Sequence, residues 1–171
     1  MKHISFAALA DKAAELKQAG DKWHFHMIGP ACIFSRLKNK YEIIIEIEST
    51  GEEFACRFSE KPISETRQMA ELRYGPDFLN SEANSDDTIT ADQKADQNEA
   101  FGKIMDRARA CCAAGTAWHN HHLFPECIFN PQKGKHSIVF EDETNEETLY
   151  AYYDHDPVKD LAKLEALFFA K

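Results

Sequence analysis

Residues 23–34 read WHFHMIGPACIF and residues 118–129 read WHNHHLFPECIF, an interval of 95 residues. The register holds without a gap far beyond this motif. Residues 6–72 set against 101–167 give 20 identities in 67 positions, where ordinary residue frequencies would give about four. No other feature constrains the fold as strongly. Whatever the first copy folds into, the second must fold into as well, so each residue of interest can be checked against its counterpart 95 positions away.

Phe6, Leu9, Ala13 and Leu16 recur at helical spacing, with Ser5 placed to cap the start and Gly20 to end the helix. Phe101, Ile104, Ala108, Cys111 and Gly115 repeat the pattern. Trp23 to Ile28 alternates like a strand and runs into a turn at Gly29 and Pro30. Cys32–Leu37 reads as a return strand, Tyr41–Glu48 as the clearest strand of the chain, and Phe54–Phe58 as a fourth. Pro62 then opens a helix, as Asp156 and Pro157 do in the second copy.

The fold class expected is therefore α+β with an internal tandem duplication. Each unit is a helix, a four-stranded antiparallel meander and a second helix, and the two pack about a pseudo-twofold axis, as fused copies of one fold commonly do. The boundaries read 1–74 for the first unit, 75–100 for an acidic polar linker and 101–171 for the second unit, the two units forming one compact pseudo-dimeric domain. Within the linker, 91–99 has the composition to extend the following helix.

The formal charge of −9 is concentrated in that linker, where Asp77 to Glu99 holds seven acidic residues and one lysine. The remainder is close to neutral and has no clustered Lys and Arg footprint, which argues against nucleic acid as a partner. No apolar run approaches the roughly 20 residues of a membrane span, and charges enter the first residues too early for a secretory signal. Five cysteines without a Cys-x-x-Cys pair favour reduced thiols. A cytoplasmic protein, monomer or homodimer, without a membrane partner, is the expectation.

The identities concentrate on Trp23, His24, His26, Pro30, Cys32, Ile33 and Phe34. A His-x-His pair on one strand presents two imidazoles on one face, about 7 Å apart along the chain, and these suit a borderline-soft ion. If the Gly29-Pro30 turn is a three-residue loop, Cys32 returns to the same face, whereas a two-residue loop turns it away. The candidate metal ligands are His24, His26 and Cys32 in the first copy and His119, His121 and Cys127 in the second, with zinc as the expected metal. A carboxylate, Glu46 or Glu48 and correspondingly Glu141 or Glu143, would complete the set or act as base in a hydrolytic reaction.

The copies differ beside the motif, where Met27 becomes His122 and Phe25 becomes Asn120. His122 is thus the candidate general base, with Glu141 as the second catalytic candidate. Each residue also has a structural reading: strand histidines bonded to neighbours, cysteines as small buried hydrophobes, and the tryptophans as core. On that reading the protein is a non-catalytic ligand-binding or protein-interaction module. Glycine-rich phosphate loops, His-Glu-x-x-His and Gly-x-Ser-x-Gly are all absent from the sequence.

Overall fold

A computed structural model describes residues 1–80 and 91–170, with side chains for 1–79 and 99–170. Residues 81–90 of the expected linker, including Asp86 and Asp87, lie outside the described residues. The chain is α+β and divides into two compact units, Met1–Phe78 and Leu79–Lys171. No helix among the described residues is long and apolar enough to cross a membrane.

The first unit runs β1 (Lys2–His3), α1 (Phe6–Ala19), β2 (Trp23–Ile28), β3 (Tyr41–Ile47), β4 (Glu52–Phe58) and α2 (Ile63–Tyr74). Ser5 caps α1 by accepting from the Ala8 amide, and Gly20 ends it in the left-handed region at φ 76°, its N–H donating back to Leu16 and Lys17 carbonyls. β2, β3 and β4 form an antiparallel meander, and β1 adds to β4 in parallel. The run of three isoleucines in β3 is continuous rather than alternating because both faces of that strand are buried. Ile43 and Ile45 share the face of Trp23 and Met27, against which the helices pack: Phe6 of α1 meets Phe58 edge-on at 6.0 Å, and the Arg73 guanidinium of α2 lies over the Trp23 ring at 5.9 Å. The other face carries His24, His26, Ile28, Glu42, Ile44 and Glu46, all buried.

The second unit runs α3 (Ala91–Ala114), β5 (Trp118–Leu123), β6 (His136–Asp142), β7 (Glu147–Tyr153) and α4 (Val158–Phe169). β5, β6 and β7 form a three-stranded antiparallel sheet. Trp118 is fully buried, its ring 5.3 Å from that of Phe140 and 5.2 Å from that of Phe168 on α4, so it is a helix-to-sheet packing residue. Arg107 of α3 anchors to the buried Asp142 at 2.6 Å. The bounds of β2, β3, β4 and α2 recur in β5, β6, β7 and α4 after the interval of 95 residues that separates Trp23 from Trp118.

The expected four-stranded meander is corrected to a three-stranded meander in each unit, which the parallel β1 extends to a four-stranded sheet in the first. Cys32–Leu37 is not a strand. After Ile28 the chain enters successive tight turns, with the Cys32 amide bonded to the Gly29 carbonyl and the Ser35 amide to the Cys32 carbonyl. The second unit repeats this with Cys127 to Phe124 and Asn130 to Cys127. Pro30 and Pro125 have no N–H to give a ladder, and the turns satisfy the neighbouring backbone locally, so the strand propensity of Cys-Ile-Phe is overridden. Ile33 and Ile128 are consequently left about half exposed. The short β1 had no signature in the sequence.

Candidate functional site

Strand alternation places His24 and His26 on one face of β2, and pairing sets Glu46 of β3 directly opposite His24. The two rings lean together to 4.9 Å between centroids, closer than the strand pitch alone would set them. His24 Nε2 lies 3.3 Å from Glu46 Oε2, and His24 Nδ1 lies 3.5 Å from Glu48 Oε1. His24, His26 and Glu46 each offer a ligand atom within 4.8 Å of the others. They are 1%, 2% and 4% exposed.

The second unit builds the same arrangement. His119 pairs opposite Glu141, and the His119 and His121 rings stand 4.9 Å apart. Glu141 Oε1 lies 3.1 Å from His121 Nε2 and 3.5 Å from His119 Nε2, while Glu143 Oε1 accepts from His119 Nδ1 at 2.8 Å. Glu143 therefore orients His119 from its second nitrogen, as outer carboxylates do for metal-ligating histidines.

Electrostatics follow from this packing. Burial acts to raise the Glu141 carboxyl, but the hydrogen bonds of His119 and His121 outweigh it and hold the group well below the usual carboxylate range. Burial also acts to lower His119, yet Glu141 and Glu143 reverse this and raise it. His121 shows the opposite balance: burial dominates, the charge on His119 adds to it, and its value falls to about 4. Within the group the carboxylates thus favour the protonated form of His119, while burial favours the neutral form of His121.

Cys32 and Cys127 are buried in the turns after β2 and β5. Contrary to the expected grouping, neither Cys32 nor Cys127 is in the group formed by the two histidines and the glutamate of its own unit, and Cys32 Sγ accepts from the Phe34 amide at 3.3 Å. The carbonyl of Cys127 accepts from Lys133 Nζ at 2.6 Å, giving that lysine a structural task. No disulfide links any of the five cysteines. Burial pushes the Cys56 and Cys111 thiols up, which suits packing rather than nucleophilic roles.

His122 points to the opposite face of β5 from His119 and His121, alongside Asn120 and Trp118. A base there cannot serve a metal-bound water on the other face of the strand. Glu141, the other catalytic candidate, has its Oε1 engaged by both imidazoles. The residue missed by sequence reading is His136, which stood alone in the sequence but lies on the face of His122, one diagonal step away across the β5–β6 ladder. Counting the antiparallel register from Trp118 and Asp142 would have found it. Comparison with protein-family models, with curated proteins and with solved structures finds no match to this chain.

Proposed function

We propose that this protein binds transition metal, zinc in the first place, at two buried sites that a gene duplication has copied. One is built on His24, His26 and Glu46, the other on His119, His121 and Glu141. Cys32 and Cys127, the buried thiols of the duplicated motif, are the proposed sulfur ligands that complete the coordination. The observation that carries this reading is the spacing of imidazole nitrogen and carboxylate oxygen, 3.3 Å in the first unit and 3.1 and 3.5 Å in the second. Zinc bonded at about 2.0–2.1 Å sets tetrahedral ligand atoms about 3.3 Å apart. Recurrence of the element bounds at one interval supports the duplication, and the presence of equivalent donor sets in both units supports a role held by each.

The burial of these donors favours closed sites, in which the metal stabilises the fold, over a water-activating centre. On this reading Glu141 is a ligand and not a base, so hydrolysis is not assigned to these two groups. Elemental analysis of protein purified without a histidine tag should give at least two equivalents of metal per chain. Cobalt substitution should show tetrahedral visible bands with a thiolate charge-transfer band, the latter absent from the Cys32→Ser, Cys127→Ser double variant. No stoichiometric metal, with melting unchanged in strong chelator, would sink the proposal and leave the motif as framework of a non-catalytic interaction module.

A further inference from the structure

The geometry points to a metal site of a different kind in the second unit, formed by His122, His136 and Asp156 and open to solvent on one side. These three side chains come from β5, β6 and the segment leading into α4, and each offers a ligand atom within 4.8 Å of the others. His122 Nε2 stands 3.3 Å from His136 Nδ1 and 3.5 Å from Asp156 Oδ1. Both distances match the edge of a zinc tetrahedron, about 3.3 Å for bonds of about 2.0–2.1 Å. A single ring nitrogen carries one proton or one lone pair, so hydrogen bonding serves only one of these two neighbours well, whereas a cation at their common focus serves all three.

The site is also held in shape. The Phe124 ring packs against His122 at 4.5 Å and against His136 at 5.1 Å, fixing both imidazole planes. The buried Asn130 amide donates to the Phe124 carbonyl at 2.8 Å and to the Lys135 carbonyl at 2.6 Å, tying together the two segments that carry the histidines. Ser137 donates to the Asn130 oxygen at 2.9 Å and completes the brace. Such support is what a preorganised ligand pair needs.

Exposure separates this group from the two buried ones. His122 is 5% exposed, His136 is intermediate and the Asp156 side chain is 37% exposed. Three protein ligands with a solvent-facing side leave positions for water or a small anionic ligand, the general form of an exchangeable or reactive metal site. The first unit supplies an internal control, because the corresponding positions are Met27, Tyr41 and Lys61. None of those completes such a set, so this site belongs to the second unit alone. His122 is accordingly a ligand here and not a metal-free base.

Zinc titration by calorimetry of the full, untagged, metal-stripped chain tests this beside the buried-site proposal. Three equivalents are expected, the weakest of them lost in both His136→Gln and Asp156→Asn. These variants spare the buried His122, and an unchanged melting temperature in chelator would show that they fold. A total of two equivalents, insensitive to both substitutions, overturns this inference and leaves the buried sites standing. One equivalent, lost in both variants, upholds it while removing the buried sites. Zinc binding of unchanged stoichiometry and affinity in both variants overturns it whatever the total.

Discussion

Glu141→Gln removes one charge from the buried group of the second unit while keeping its size and one acceptor oxygen. In chelator the loss is that of a charge-assisted hydrogen-bond pair to His119 and His121, worth about 1.5–3 kcal/mol. In buffered zinc the cost should grow. At free zinc about 1,000 times its Kd, the wild-type site gains about 4.1 kcal/mol from binding. Loss of an outer partner typically weakens a metal site about 10–100-fold, so loss of a ligating charge is set at about 100-fold. The variant then gains only about 1.4 kcal/mol from the same zinc, and the penalty widens by about 2.7 kcal/mol to roughly 4–6 in all. Urea denaturation in the two buffers reads this directly. With slopes of about 1–3 kcal/mol per molar, the gap between wild-type and variant midpoints should widen by about 1–3 M. The same gap in chelator and in zinc would refute the reasoning, since a carboxylate that merely accepts hydrogen bonds costs the same whether or not metal is supplied.

Two further outcomes test the packing on the helix side of the second sheet. Burial pushes Glu165 of α4, bonded by the Asn120 amide, up to about 8 from an ordinary value of 4.5. A carboxyl raised in the folded state leaves stability intact below about pH 4.5 and subtracts from it as pH rises toward 8, with no further change above. The full shift would be worth several kcal/mol, and the partial exposure of the residue reduces this to about 1–2. Glu165→Gln should therefore be the more stable protein at pH 8.5 and equal to wild type at pH 4; parallel urea profiles at the two pH values would contradict this. Trp118→Ala should cost about 3–5 kcal/mol in urea unfolding, because the ring is fully buried between Phe140 and Phe168. Its metal content should be that of wild type, as it lies on the other face of β5 from His119 and His121, and loss of metal in a folded variant would count against the assignment of faces.

Much of this architecture was legible because its signals are local. Ser5 and Gly20 mark the ends of α1 through bonds to their own near neighbours, and the isoleucine run of β3 marks itself through propensity and burial. What failed was the segment 32–37, where Cys-Ile-Phe has strand propensity but Pro30 and the turn bonds after it decide the conformation. β1 failed for the converse reason: two residues gain strand geometry only by pairing with Phe54 and Ala55, more than fifty positions away. The histidine pairs were legible through period-two alternation, and the opposing glutamates were named as candidates. The contact of His122 with His136 and Asp156 was not, because it depends on strand register and on a loop reaching back to the sheet edge, neither of which has a signature at fixed spacing.

The repeat also explains how one chain comes to hold two kinds of donor cluster. Positions 24, 26 and 46 match 119, 121 and 141 in type, so the face carrying them has kept its chemistry in both units. On the opposite face the helix-packing residues are kept as Trp23 and Trp118, while Met27, Tyr41 and Lys61 stand where His122, His136 and Asp156 stand in the second. A strand allows this because its two faces are set by alternate residues, so one can change without disturbing the other. In the first unit the position is apolar, and Met27 is buried there at 4% exposed, as a packing residue is. In the second unit the same position, His122, stands beside a second histidine, a carboxylate and the Asn130 brace. If the two clusters are independent in this way, stripping one leaves the other intact, and His136→Gln should bind two equivalents of zinc with wild-type affinity; weakened binding of those two would refute the independence.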